Sequence, residues 1–247
     1  MGEQERLQRL EALDIDVYLR RGLRGPAAQA AASAPAEAAA VATSPLASAA
    51  TDVQALDWPG LRAAVAACTC CELHCTRTQT VFGVGDPAAR LMFIGEAPGA
   101  EEDRQGEPFV GRAGQLLTQM IRALGCARDQ VFIANVLKCR PPGNRDPSAR
   151  EAACCRPFLE RQIELVDPAL LVAVGRIAAQ TLLGSEAPLG KLRGRVHEFG
   201  AARRPLIVTY HPAYLLRSPA EKRRAWQDLQ FVLHTLRDGV ASVHVEH

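Results

Sequence analysis

Residues 91–99 read Leu-Met-Phe-Ile-Gly-Glu-Ala-Pro-Gly: four apolar residues running straight into a polar turn bounded by glycine and proline. A short apolar run with such punctuation at its exit is the pattern of a strand buried on both faces. Three more runs of this kind follow, at 131–136, 170–174 and 206–210. Helical stretches lie between them at about 112–124, 148–166 and 176–183, and a last one at 220–236 follows the fourth run. Strands alternating with helices imply right-handed crossovers, a parallel sheet and helices on both its faces. The expected fold is α/β: three layers, α/β/α, around a central four-stranded, mainly parallel sheet.

In such a sheet ligands bind beyond the carboxyl ends of the strands. The first run exits into Gly95-Glu96-Ala97-Pro98-Gly99, the second ends at Asn135, the third at Gly175 and the fourth at His211-Pro212. Polar or glycine-rich chemistry therefore stands at every strand exit.

Outward from this core the chain changes character. Residues 1–24 place Leu7, Leu10, Ile15, Leu19 and Leu23 among Arg and Glu, the spacing of a short amphipathic helix and a candidate site for a protein partner. Residues 25–56 are rich in Ala, Pro and Ser, with 14 alanines among the 24 residues from 27 to 50, so this stretch reads as a tether without a core. The globular part is expected over 57–240, followed by a tail at 241–247.

With 29 Lys+Arg against 27 Asp+Glu the net charge is +2, so any basic footprint for a nucleic acid must be local. No apolar run reaches the roughly 18 residues that span a bilayer. The start, MGEQERLQRLEALD, is charged from its third residue and lacks the apolar core of a secretory signal. A cytoplasmic protein with no membrane partner is expected. There, the eight cysteines read as ligands, nucleophiles or buried thiols rather than disulfides.

Cys68 and Cys71 form a C-x2-C pair able to hold one metal centre, and Cys139 and Cys155 lie far along the chain. Cys70 and Cys75 compete with the first pair, and Cys154 competes with Cys155. Four thiolates suit zinc or an iron–sulfur cluster, and spacing alone does not separate the two. Cys126, beside Gly125, reads as an ordinary buried thiol.

Six segments carry a resemblance: CTCCELHC (68–75), VFGVGDPAARLMFIGEAPGAEED (81–103), GEPFVGRAGQLL (106–117), NVLKCRPPGNRDP (135–147), EAACCRPFL (151–159) and YHPAYLLR (210–217). Each alone is weak, but in order and in register over about residues 60–235 they resemble the family 4 uracil-DNA glycosylases. The resemblance implies an enzyme that flips uracil out of single- or double-stranded DNA and hydrolyses its N-glycosidic bond, leaving an abasic site. It also implies a monomer and a [4Fe–4S] cluster on Cys68, Cys71, Cys139 and Cys155, with Cys70, Cys75 and Cys154 as extras. The cluster would be structural, because base excision moves no electrons.

The resemblance further implies a uracil pocket of Gly95, Glu96, Ala97, Phe109, Asn135 and His211. A flipped base is held by stacking and by hydrogen bonds to its edge. Phe109 offers a face worth about 1–3 kcal/mol for one stacked base. Asn135 can accept and donate at the N3/O4 edge of uracil, where cytosine presents the reverse pattern. His211 is suited to donate to O2. The loop 213–217 resembles one pressed into the minor groove, with Leu215 and Leu216 as wedges. Arg217, Lys222, Arg223 and Arg224, with Lys191, Arg193 and Arg195, are candidate phosphate contacts.

Other families of these glycosylases place a water-activating carboxylate or amide two residues after the motif glycine. Here that residue is Ala97, as in family 4, which leaves Glu96, Glu102 and Asn144 as candidates; Glu96 and His211 are the expected catalytic pair. A subgroup that attaches covalently to uracil-DNA uses a His in an insertion after the second strand, and residues 140–150 contain none. Two rival readings are a nuclease holding Mg2+ on Glu96, Glu101, Glu102 and Asp103, and a catalytically silent iron–sulfur DNA-binding protein.

Overall fold

The computed structural model describes residues 53–238. Its sheet contains β1 (Val84–Gly85), β2 (Leu91–Gly95), β3 (Phe132–Asn135), β4 (Leu170–Val174), β5 (Val196–Phe199) and β6 (Arg204–Thr209), in the order β1-β3-β2-β4-β6-β5. The helices are α1 (Trp58–Ala67), α2 (Ala100–Gln105), α3 (Arg112–Ala123), α4 (Ala149–Val166), α5 (Arg176–Leu183), α6 (Leu189–Leu192), α7 (Pro212–Arg217) and α8 (Lys222–Asp238).

The four expected strands are the parallel centre, β3-β2-β4-β6, but the sheet has six strands, not four. Two antiparallel edges complete it, β1 against β3 and β5 against β6. Neither edge carries the apolar run that marks a central strand. β1 is two residues long, and β5 (Val-His-Glu-Phe) buries Phe199 alone. Short, partly polar strands are what a sheet edge tolerates.

Every residue of β2, β3 and β4 is buried, which is why these strands read as unbroken apolar runs. Alternate side chains divide between two cores. Met92, Ile94, Ala134, Leu171, Ala173 and Val208 pack with Leu159 and Ile163 of α4 and Ala178 of α5. Phe93, Ile133, Val172, Val174 and Ile207 pack with Leu117 and Ile121 of α3 and Leu229 of α8. Phe93 is fully buried, so Phe93→Ala would cost about 3–5 kcal/mol.

Local chemistry sets the helix ends. Ser148 caps α4 by accepting from the Glu151 N–H at 3.2 Å while the Glu151 carboxylate accepts from the Ser148 N–H at 2.8 Å. A third cluster seats α1 through Leu61 and Val65 against Phe82 and Phe158, and Val53 is buried in it. The packed part therefore begins by Val53, inside the stretch read as tether up to 56. Residues 1–52 and 239–247, including the amphipathic helix and most of the tether, lie outside the described residues. Among the described residues, no helix is long and apolar enough to cross a membrane.

From β2 the chain passes to β3 on one side, then crosses to β4 on the other. This reversal is a topological switch point, where an open α/β sheet leaves a crevice beyond its carboxyl ends.

Candidate active site

The crevice is a cleft of about 740 Å³, walled by Glu96, Ala97, Phe109, Asn135 and His211 with Tyr210 and Arg217 among their neighbours. Gly95 lies buried beneath it. A Cβ on Gly95 would come within 2.4 Å of Asn135 Oδ1 and 2.5 Å of Phe109 Cζ, so only glycine lets these two side chains converge over the end of β2. The Val136 N–H donates to Gly95 O at 2.9 Å and the Leu137 N–H to Glu96 O at 3.0 Å, which holds the two strand exits side by side.

Phe109 has φ +55, a left-handed conformation that an aromatic residue adopts only under constraint. Its ring centroid is 5.7 Å from that of His211, with the planes at 32°. Asn135 is 2 % exposed, and its Oδ1 is the one buried side-chain polar atom without a partner among the described residues. An orphaned acceptor in a cleft wall is a place prepared for a donor.

His211 is the N-cap of α7. Its Nδ1 accepts from the Ala213 N–H at 3.1 Å, so the ring proton sits on Nε2. Burial, reinforced by the Arg217 charge and opposed by Glu102, pushes the imidazole down to about 4. It is therefore a neutral donor near pH 7. Gly175 makes room for it: Gly175 has φ +98, and a Cβ there would lie 2.8 Å from His211 Cβ.

Glu96 is pushed up to about 7, first by burial and then by the Asp146 carboxylate, with Arg176 opposing. Asp146 and Arg176 pair at 2.9 Å on the rim, a feature that the strand-exit reading passed over. Of the other two candidates for activating water, Asn144 Oδ1 accepts from Arg140 Nε at 2.7 Å, and Glu102 accepts three backbone N–H groups. Among the described residues Glu96 is the one of the three without a side-chain hydrogen bond. The four clustered carboxylates turn to different partners. Asp103 is buried against the Thr78 N–H and Oγ1, Glu101 pairs with Arg104 on the surface, Glu102 joins two loops and Glu96 faces the cleft. Among the described residues these four carboxylates do not converge on one point.

The expected cysteines gather at one pole. Cys71, Cys139 and Cys155 are buried and Cys68 is half-buried. Burial raises the Cys139 thiol, with Arg77 opposing and the charges of Cys71 and Cys68 adding to the rise; burial pushes Cys155 up to about 12, with Cys139 and Cys71 adding. Arg77 Nη1 donates to Cys139 Sγ at 3.1 Å. Behind them Lys138 is 1 % exposed, its Nζ donating to Asn135 O at 2.8 Å and to Gln162 Oε1 at 2.6 Å. Both acceptors are neutral, and burial pushes the Lys138 ammonium down to about 7, with Cys155 and Cys139 opposing. A buried cation needs a counter-charge, which these cysteines, raised by burial, would provide only as ligand thiolates. Cys154 Sγ donates to Cys70 O at 3.3 Å, in the same buried cluster as Cys71, Cys139 and Cys155, and Cys75 lies against His74. Among the described residues no three His, Cys, Asp or Glu side chains close around a single metal ion.

On the α7 side of the cleft two expectations change. Leu215 is 1 % exposed and belongs to the core, because the short α7 turns it inward, so it is no wedge. Tyr214 and Leu216, each 38 % exposed, present the apolar surface instead, with Tyr214 stacked on Tyr210 at 5.4 Å and 14°. Arg193 is no free phosphate contact. Its Nε and Nη2 each donate to the buried Asp228 carboxylate at 2.8 Å, and its guanidinium lies 4.2 Å over the Tyr210 ring. It braces the floor under Tyr210. Arg217 lines the cleft, and Lys191, Arg195, Arg223 and Arg224 are exposed.

The family model of the uracil DNA glycosylase superfamily matches residues 82–230. A type-4 uracil-DNA glycosylase of Thermotoga maritima is 45% identical over 158 residues, 64% of this chain and 82% of the relative. One of Sulfurisphaera tokodaii is 44% identical over 67% of this chain and 79% of its own length. One of Archaeoglobus fulgidus is 44% identical over 63% of this chain and 81% of the relative.

Proposed function

Since the chain belongs to the type-4 uracil-DNA glycosylases of the uracil DNA glycosylase superfamily, we propose that it excises uracil from DNA, flipping the base into the cleft and hydrolysing its N-glycosidic bond to leave an abasic site. The observation that carries this reading is the orphaned Asn135 Oδ1 at the cleft wall. Uracil N3–H supplies the missing donor. Cytosine has no hydrogen at N3 and would leave the acceptor buried and unpaired, a difference of about 1–3 kcal/mol.

The other walls fit the same base. Phe109 stacks on it, held at that height by its constrained backbone. Bond cleavage leaves negative charge on the departing uracil and positive charge on the sugar. The Nε2–H of neutral His211 is placed to stabilise the first, most strongly in the transition state where the charge has developed. Glu96 orients water and offsets the second. Ala97 brings no polar group, so charge stabilisation carries more of the reaction than water activation does. Tyr214, Leu216 and Arg217 would fill and line the gap left by the flipped nucleotide in single- or double-stranded DNA.

Cys68, Cys71, Cys139 and Cys155 would hold a [4Fe–4S] cluster. Buried Lys138 beside the thiols supports a negatively charged centre there. When bound, the cluster would tie three distant segments together and bring charge beside Lys138 without moving electrons. We place the enzyme in the cytoplasm, on the nucleoid, as a monomer whose residues 1–24 serve a protein partner.

An end-labelled oligonucleotide with one uracil, incubated with the protein and then treated with alkali, tests the reading. Strand scission at the uracil, absent from a thymine control, is expected. Tight binding without scission would overturn it in favour of a silent DNA-binding protein.

A further inference from the structure

The cleft is walled by two loops that no strand pairing joins, 96–99 after β2 and 107–111 before α3. Glu102 in α2 reaches both. Its Oε2 accepts from the Gly99 N–H at 3.1 Å, and its Oε1 accepts from the Val110 N–H at 3.2 Å and the Gly111 N–H at 3.4 Å. The second loop contains the constrained Phe109, and a strained backbone persists only where its surroundings over-determine it. Two other restraints act on it from the far side. Arg128 Nη2 donates to Pro108 O at 2.6 Å, and Gly114 of α3 lies so close that a Cβ there would fall 1.7 Å from Phe109 O. Neither of these ties Phe109 to the loop that carries Glu96.

We propose that Glu102 is a positioning residue that latches the Glu96 loop to the Phe109 loop and so sets the gap into which uracil slides. This rests on the function proposed above, and it assigns Glu102 a role other than water activation. The carboxylate is the fitting group, because each loop takes one oxygen. A glutamine has one carbonyl oxygen, so it can hold one loop while its NH2 faces an N–H of the other.

The test compares E102A and E102Q with the parent, full chain, by three readouts. Hydrogen exchange of the peptide over 107–111 needs no substrate: exchange faster than the parent's in E102A, and to a lesser degree in E102Q, is expected, and unchanged protection in both overturns the latch. Single-turnover excision should fall about 100-fold in E102A, as for a reacting group displaced by about 1 Å. E102Q should keep more of that rate, lose affinity for free uracil, and retain the parent's pH profile. If E102Q is as inactive as E102A, with free-uracil affinity at the parent value and the pH limb gone, Glu102 is the base and the latch is wrong. Should E102A fail to fold by thermal melting, E102Q carries the same readouts. A parent inactive on uracil-DNA would sink the proposed function, while the exchange result would still decide the latch.

Discussion

Lys138 Nζ donates to the main-chain carbonyl of Asn135 at 2.8 Å, so the residue we propose reads uracil is tied to one buried beside Cys139 and Cys155. The same nitrogen holds Gln162, whose Nε2 donates to Phe82 O at 2.8 Å, extending the tie to the segment that follows the first cysteines. A disturbance among the buried cysteines thus has a short path to the end of β3.

Lys138→Met leaves Asn135 O and Gln162 Oε1 without their donor and removes the cation beside Cys139 and Cys155. Stability should fall by about 1–3 kcal/mol for the unpaired groups. Iron per protein should drop, and the protein that still holds iron should bind free uracil less tightly. Parent-like iron and parent-like uracil affinity together would show that Lys138 only fills space.

Replacing Cys68, Cys71, Cys139 or Cys155 by serine should abolish the visible absorbance of the purified protein and destabilise the fold, since these residues join segments up to 87 positions apart by chain number, from 68 to 155. Replacing the exposed Cys75, which faces His74, should do neither. Elemental analysis returning one zinc and no iron would overturn the cluster.

The pH dependence follows from Glu96. With burial and Asp146 raising it to about 7, the carboxylate is lost on acidification through that value. Single-turnover rate should therefore rise through about pH 7, and E96Q should lack the limb. Arg176 opposes the rise of Glu96, so Arg176→Gln should move the limb upward. His211, at about 4, adds no limb above about pH 5. The stability effect runs the other way. The folded value of Glu96 exceeds its unfolded one of about 4.5, so its contribution is complete below about 4.5 and disappears as pH rises through about 7. Melting curves of E96Q should lose that part of the pH dependence.

Asn135→Asp keeps the shape of the side chain while replacing the amide donor by an acceptor and adding charge in a buried place. Uracil excision should fall by at least about 100-fold, given a buried polar mismatch on top of an unpaired charge. Duplex binding should stay close to the parent, because phosphate contacts supply most of it. Equal losses of binding and cleavage would make Asn135 a structural residue.

What the sequence disclosed and what it hid divide along physical lines. β2, β3 and β4 are buried on both faces, so each announces itself as an apolar run, and the exits Gly95, Asn135, Gly175 and His211 then fall at one end of the sheet without further argument. The edges β1 and β5 bury too little to leave such a mark. Arg193 looked like a surface cation because its partner, Asp228, lies 35 residues away, on a helix whose packing no local pattern reveals. Leu215 looked like a wedge because the phase of a six-residue helix is not fixed by its own composition. Glu102 was legible as one of four carboxylates and as a candidate for activating water. Its role depends on two loops meeting in space.

The last prediction concerns the donor to the departing base. Because Nδ1 of His211 is occupied by the Ala213 N–H, its proton is committed to Nε2, and burial keeps the ring neutral. A neutral imidazole hydrogen-bonds to uracil O2 weakly in the ground state and more strongly as negative charge builds there, which is the condition for raising the rate rather than the affinity. By analogy with loss of one oxyanion-hole donor, His211→Ala should slow single-turnover cleavage by about 10²–10³. The same change also removes the N-cap of α7, which costs about 0.5–2 kcal/mol of stability on its own account. His211→Asn separates the two effects, since asparagine caps well but does not reach as far into the cleft. It should recover the melting temperature without recovering the rate. If His211→Ala cleaves as fast as the parent under saturating enzyme, the donor role fails and Glu96 becomes the principal catalytic group.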